Sequence, residues 1–237
     1  MILPNDIHPS WSSFLTKDRL HELKDIEREI GNTYNPTNPK DILRFLSTDL
    51  YQTKVIWLGQ DVYPAKGIAT GRAFEVGHLT SWMESFRQVS VKNIIRLIHK
   101  NYNGINHYEQ IKRFEEIKQE IEQQQFPIKA PQQWFDSLEE QGVLFLNTSF
   151  TCEIGKANSH KHIWETFSKR VLRYISEVNP SIYWFLWGKE AKLNKQFISN
   201  GVFFESRHPM MCSKKYEDDF LKSSCFLNTW DEINWLG

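Results

Sequence analysis

Val55-Ile56-Trp57-Leu58-Gly59-Gln60-Asp61-Val62-Tyr63 sets four large apolar residues directly before a glycine, an amide, a carboxylate and a phenol. A short continuous apolar run is the pattern of a strand buried on both faces inside a parallel sheet. The glycine is expected to end that strand and let the chain turn, so that Gln60, Asp61 and Tyr63 emerge just past its carboxyl end. In open α/β sheets that edge is where ligands bind. Taken singly, Asp61 reads equally well as a turn former.

Three further runs share this style. Val143-Leu144-Phe145-Leu146 leads into Asn147, Ile182-Tyr183-Trp184-Phe185-Leu186-Trp187 into Gly188, and Val202-Phe203-Phe204-Glu205-Ser206 into Arg207-His208-Pro209. Helical spacing of apolar residues follows each of them, over residues 162–178, 189–198 and 218–230. Strands alternating with helices predict an α/β fold, a central four-stranded parallel sheet flanked by helices on both faces. Amphipathic helices are expected within residues 10–30, a loop over 31–39, a short helix at 41–46, and helices over 82–102 and 132–140. The charged stretch 108–125 reads as an exposed helix or a poorly packed insertion. One domain over residues 1–237, with a helical N-terminal segment to about residue 50, is the expected organisation.

Of the 237 residues, 40% are hydrophobic and 14% aromatic, which excludes a disordered chain. The longest apolar run is far too short to span a bilayer, and the first residues lack the basic and apolar segments of a signal peptide. Cys152, Cys212 and Cys225 are widely spaced with no C-x-x-C pair, which predicts free thiols in a reducing, cytoplasmic setting. Net charge is zero, yet residues 154–215 hold eleven Lys or Arg against four Asp or Glu. That local excess makes a basic face for nucleic acid plausible, although ordinary scatter onto several solvated faces explains it as well.

The predicted topology puts Asp61, Asn147 and His208 at the carboxyl ends of three different strands. Asn147 alone reads as a turn residue and His208 alone as structural; the three together define a candidate site. These residues resemble a known family, the family 1 uracil-DNA glycosylases. Gly59-Gln60-Asp61-Val62-Tyr63, with Gly67, Ala69, Gly71, Ala73 and Phe74, is similar to its water-activating loop. Residues 142–148 resemble its uracil-recognition strand, Ser159-His160 and Trp164-Glu165-Thr166-Phe167 the segment after it, Leu186-Trp187-Gly188 the next strand, and His208-Pro209 through Ser213 its last loop.

The resemblance implies a DNA-repair hydrolase that flips uracil out of DNA and hydrolyses its N-glycosidic bond, leaving free uracil and an abasic site. It implies catalytic roles for Asp61 and His208, substrate contacts from Gln60, Tyr63, Phe74 and Asn147, and a place for His160 behind the aspartate. DNA contacts would come from Ser90, Met210, Met211, Cys212 and Ser213. No metal or organic cofactor is called for. The implied partners are uracil-containing DNA, single- or double-stranded, and a DNA-mimic inhibitor protein; the implied state is a monomer with no membrane association. The alternative is a non-catalytic or weakly active relative that binds uracil or DNA. Departures lie in the DNA-handling loops: Val62 replaces a proline, Pro64 a histidine, Met210 and Met211 a Ser-Pro pair, and Cys212 a leucine that wedges into the base stack. The proline-rich loop of the family is absent before Ser90.

Overall fold

The computed structural model describes residues 2–237; Met1, the first residue of the stretch inspected for a signal peptide, lies outside them. A 3-10 turn at Pro9–Trp11 precedes helix α1 (Lys17–Ile30). Thr16 caps α1 by accepting from the N–H of Arg19, and Leu23, Ile26 and Ile30 bury one face. The expected loop at 31–39 contains a two-residue strand, β1 (Tyr34–Asn35). It pairs antiparallel with Cys152–Glu153, a partner remote in sequence that local composition does not reveal.

Strand β2 (Val55–Asp61) is the centre of the molecule. Helices α2 (Val89–Tyr102), α3 (Phe114–Glu122) and α4 (Pro131–Glu140) lead to β3 (Val143–Ser149) and the short β4 (Cys152–Glu153). Helix α5 (Lys161–Val178) returns the chain to β5 (Tyr183–Trp187), and α6 (Lys189–Leu193) to β6 (Val202–Ser206). The four long strands are parallel in the order β3-β2-β5-β6. Among the described residues no helix is long and apolar enough to cross a membrane.

Alternate side chains of each strand enter opposite apolar layers. Val55, Trp57, Val143, Phe145, Phe185 and Trp187 face the layer of α2, α3 and α4. Ile56, Leu58, Leu144, Leu146, Trp184 and Leu186 face that of α1 and α5. This is why the strands read as unbroken apolar runs. Trp57 is fully buried within about a ring's contact of Trp134, Phe145, Trp187, Phe226 and Trp235. Truncating it to alanine would cost about 3–5 kcal/mol.

Several expected bounds shift. The helix read over 82–102 begins at Val89, because Glu84 takes hydrogen bonds from Thr80 and Ser81 and holds residues 80–84 in a turn. The stretch 108–125 is no loose insertion: Phe114 and Ile117 of α3 enter the core. The helix read over 218–230 resolves into 3-10 turns at Phe220–Lys222 and Leu227–Thr229, since the Asp219 carboxylate caps the first and also binds the N–H of Ser213. Residues 189–198 form α6 and a further 3-10 turn, Asn194–Phe197. Gly59 does not end its strand, which runs on to Asp61, and β3 likewise continues past Asn147 to Ser149.

Candidate active site

Strand β2 lies between β3 and β5, so the connections leaving β2 and β5 diverge to opposite sides of the sheet. Such a switch point opens a crevice at the carboxyl ends of the two strands. A cleft occurs there, lined by Gly59, Gln60, Phe74, Gly188, His208 and Met210 among others. Gly59 is in register with Asn147 on β3. A Cβ on residue 59 would stand 2.3 Å from Asn147 Oδ1 and 2.9 Å from Ala73 Cβ. The glycine is therefore there to admit the asparagine amide, not to turn the chain. Asn147 is 3% exposed and its amide has no hydrogen-bond partner among the described residues, which leaves a carbonyl and an NH2 for a ligand.

Phe74 packs edge-on against Trp187 and Trp57 and lies 6.4 Å from the His208 ring. Its φ of 69° is unusual for an aromatic residue, and strain of this kind is held only where the surroundings over-determine it. Two residues earlier, the buried Arg72 guanidinium pairs with Glu75, Asp136 and Glu139 and so ties this loop to α4. Tyr63, on the other side of the loop, donates its hydroxyl to the Phe74 carbonyl at 3.4 Å.

Asp61 Oδ2 accepts the backbone N–H of Asn158 at 2.5 Å, while Oδ1 is buried without a partner. Burial raises the Asp61 carboxyl above its ordinary value, outweighing the Asn158 N–H, the nearby Ser149 hydroxyl and the Val62 N–H, which act the other way. Gln60 donates from Nε2 to Asn158 Oδ1 at 2.8 Å. His208 accepts the Met210 N–H on Nδ1 at 3.2 Å, which puts the proton of the neutral ring on Nε2. Burial holds its pKa below the usual histidine value.

Among the described residues His160 makes no hydrogen bond or ion pair with Asp61. Its Nδ1 bonds the Thr151 hydroxyl at 2.9 Å, and the Thr151 carbonyl accepts from Ser149, the residue opposite Asp61 on β3. Ser90 sits in the first turn of α2, and Asn93 of that helix donates to the Pro209 carbonyl at 2.6 Å, tying the helix to the His208 loop. Met210 and Met211 are each 57% exposed. Cys212 is instead half-buried against the core, with its thiol donating to the Pro209 carbonyl at 3.2 Å. The Ser213 N–H binds Asp219. The basic excess of residues 154–215 is largely spent in pairs such as Lys161–Glu190 and Lys195–Glu205; beside the cleft, Lys189, Lys192 and Arg207 line a groove with Met211, the last two shared with Asp218. Among the described residues no group of three or more His, Cys, Asp or Glu is placed to hold a metal ion.

Asn158, Arg72 and Asn93 escaped the sequence reading. Asn158 lies one residue before the Ser159-His160 pair, and only the motif's proximity could have drawn attention to it.

No model of a known protein family matches the chain. It is 30% identical over 243 residues to the uracil-DNA glycosylase of Francisella philomiragia, covering 95% of this chain and 99% of that protein. Its fold matches the solved UNG from Nitratifractor salsuginis with a TM-score of 0.67 at 20% identity, over 87% of this chain and 86% of that one. It also matches a mimivirus UNG variant solved in complex with UGI, with a TM-score of 0.63 at 18% identity, over 86% and 70% of the two chains. On the extent of these similarities, the chain belongs to the uracil-DNA glycosylases.

Proposed function

We propose that this chain hydrolyses the N-glycosidic bond of uracil in DNA, releasing free uracil and leaving an abasic site. The observation that carries the reading is a cleft lined by Gly59, Phe74 and His208, with the Asn147 amide against Gly59 and the Asp61 carboxylate at the end of the same strand. The reacting carbon of a stacked nucleotide is inaccessible, so the base must be flipped into the cleft at a cost of a few kcal/mol.

Breaking the bond develops positive charge on the sugar and negative charge on the departing base. The Asp61 carboxylate stabilises the former and orients the attacking water. The Nε2–H of His208 points its dipole at uracil O2 and stabilises the latter; a preorganised donor of this kind is worth about 3–4 kcal/mol. The neutral imidazole supported by the Met210 N–H suits this role, because it donates without first needing a proton.

Uracil presents N3–H and O4, and a fixed Asn147 amide meets both; cytosine presents the opposite pair. Bidentate recognition of this kind discriminates by about 1–3 kcal/mol. Tyr63 excludes the 5-methyl of thymine, Phe74 stacks on the base, and Gln60 contacts its O2 side. Ser90 and Ser213 are assigned to backbone phosphates, with Met210 and Met211 at the base stack. A DNA-mimic inhibitor protein is a further expected partner, in line with the UGI-bound mimivirus relative. A monomeric, single-domain enzyme completes the reading, and three unpaired thiols suit the reducing cytoplasm proposed for it.

The test is incubation with a uracil-containing oligonucleotide in EDTA. Free uracil and alkali-labile sites are expected. Binding without release, with protein in large excess, would favour a non-catalytic relative instead.

A further inference from the structure

Asn35 of β1 is fully buried, yet it touches a loop 28–30 residues away. Its Nδ2 lies 3.3 Å from the Tyr63 carbonyl, 2.7 Å from that of Pro64 and 3.1 Å from that of Ala65. All three partners are acceptors, so the nitrogen and not the oxygen of the amide must face them. The Oδ1 atom is buried without a partner, a cost that a residue serving only to fill space would not incur.

Neighbouring groups turn the same stretch the same way. Gly155 donates its N–H to the Pro64 carbonyl at 2.8 Å, and the Cys152 thiol approaches the Val62 carbonyl at 3.8 Å. The β1–β4 ladder, in which Asn35 faces Cys152, holds these donors together. Every carbonyl from Val62 to Ala65 is thus fixed by a donor, and Pro64 has no N–H with which to anchor the loop itself. Tyr63 is consequently held at both ends, its backbone by Asn35 and its hydroxyl by the Phe74 carbonyl.

We propose that Asn35 is a positioning residue that fixes the Tyr63 ring and so sets the exclusion of thymine. The proposal rests on the glycosylase reading. Discrimination by one methyl group is worth about 10–200-fold in a well-formed pocket, and a displacement of about 1 Å is enough to forfeit such factors.

The experiment uses the full chain and single-turnover cleavage of oligonucleotides bearing uracil or thymine opposite guanine, for wild type, Asn35→Ala, Tyr63→Ala and the double variant. Asn35→Ala is expected to raise the thymine-to-uracil rate ratio about tenfold, and to add nothing further on Tyr63→Ala, because its effect runs through that ring. Tyr34→Phe, on the same strand but outside the clamp, should leave the ratio unchanged. Should Asn35→Ala fail to fold, Asn35→Asp replaces it: an ionised carboxylate repels the three carbonyls, whereas the protonated acid donates to one. Its ratio should then fall toward that of wild type as pH is lowered. A folded variant with the wild-type ratio at every pH, or full additivity with Tyr63→Ala, would overturn the proposal. A wild-type protein that releases no uracil would overturn the glycosylase reading and this inference with it.

Discussion

The backbone N–H of Asn158 donates to Oδ2 of Asp61 at 2.5 Å, joining two residues 97 positions apart. Asn158 can do so because it adopts a φ of 61°, a conformation asparagine tolerates better than most residues. Its side chain meanwhile accepts from Gln60. One residue thus orients both the carboxylate and the amide that follow Gly59.

Two substitutions separate these roles. Asn158→Gly retains the backbone geometry and the N–H but loses the link to Gln60, so its effect on kcat should be within a few-fold. Asn158→Val places a β-branched residue at positive φ and displaces the N–H. Single-turnover cleavage should fall by about 10–100-fold, and the acid limb of the rate profile should move to higher pH, because a donor that lowers the Asp61 pKa has gone. Equal losses in the two variants would mean that the side chain, not the backbone, is what matters.

The pH dependence follows from two burial effects of opposite sign. Asp61 is raised above its ordinary 3.8, so its active, ionised form is lost as pH falls through that raised value. His208 is lowered below 6.5, so the ring stays neutral through the physiological range. The acid limb of the kcat/KM profile should therefore belong to Asp61 and lie above the ordinary carboxylate value, with His208 adding no inflection at or above 6.5. An inflection at 6.5 that persists in the residual activity of Asp61→Asn would contradict the assigned state of His208.

The same shift at Asp61 has a consequence for stability. A carboxyl whose folded pKa exceeds its unfolded value binds protons more readily when folded, so it destabilises the native state as pH rises through that window. Asp61→Asn removes the buried charge and keeps an oxygen to accept from Asn158. Thermal unfolding at pH 7 should shift upward while cleavage drops by orders of magnitude. A lowered midpoint would show that the carboxylate supports the fold.

Gly59→Ala is expected to be severe for so small a change. The added methyl would stand 2.3 Å from Asn147 Oδ1, and forcing such contacts typically costs about 1–3 kcal/mol. Displacing the amide should reduce uracil cleavage more than stability, read by single-turnover kinetics beside a denaturant midpoint. Wild-type activity would mean that the amide has another resting place.

The sheet was legible because its strands are buried on both faces, which leaves unbroken runs such as residues 55–58. The placement of Asp61, Asn147 and His208 toward the carboxyl edge of the sheet was legible because each follows or ends such a run. What escaped shares a different cause. Asn35, Asn158 and Arg72 act through partners distant in sequence, and nothing in their neighbours signals a carbonyl, a carboxylate or an acidic cluster waiting elsewhere. Gly59 was seen but misread, since the close approach of Asn147 exists only once β2 and β3 are paired. The 3-10 turns after His208 were read as a helix because apolar spacing is similar; the Asp219 side chain, which caps the first of them, decides the outcome.

Wedging of the base stack is the last point on which the structure redirects expectation. The motif resemblance to the family puts Cys212 at the wedge position, yet its thiol turns back to Pro209 and the residue packs against the core. Met210 and Met211 stand out beside it, each 57% exposed, the first on the cleft and the second on the adjoining basic groove. Apolar side chains of this kind, methionine included, are inserted between base steps by proteins that kink DNA, and methionine adapts to an irregular gap. A flipped base leaves such a gap in duplex DNA and much less of one in a single strand. Met211→Ala should therefore lower kcat/KM on a U·A duplex about tenfold or more while changing single-strand cleavage little. Cys212→Ala should leave the ratio of the two substrates near wild type, and Cys212→Leu, which must fit a larger side chain against the core, should lower stability without improving duplex cleavage. The measurement is kcat/KM on matched single- and double-stranded oligonucleotides at one stated salt concentration. A duplex defect in Cys212→Ala, with none in Met211→Ala or Met210→Ala, would return the wedge to Cys212 and require the loop to rearrange on DNA.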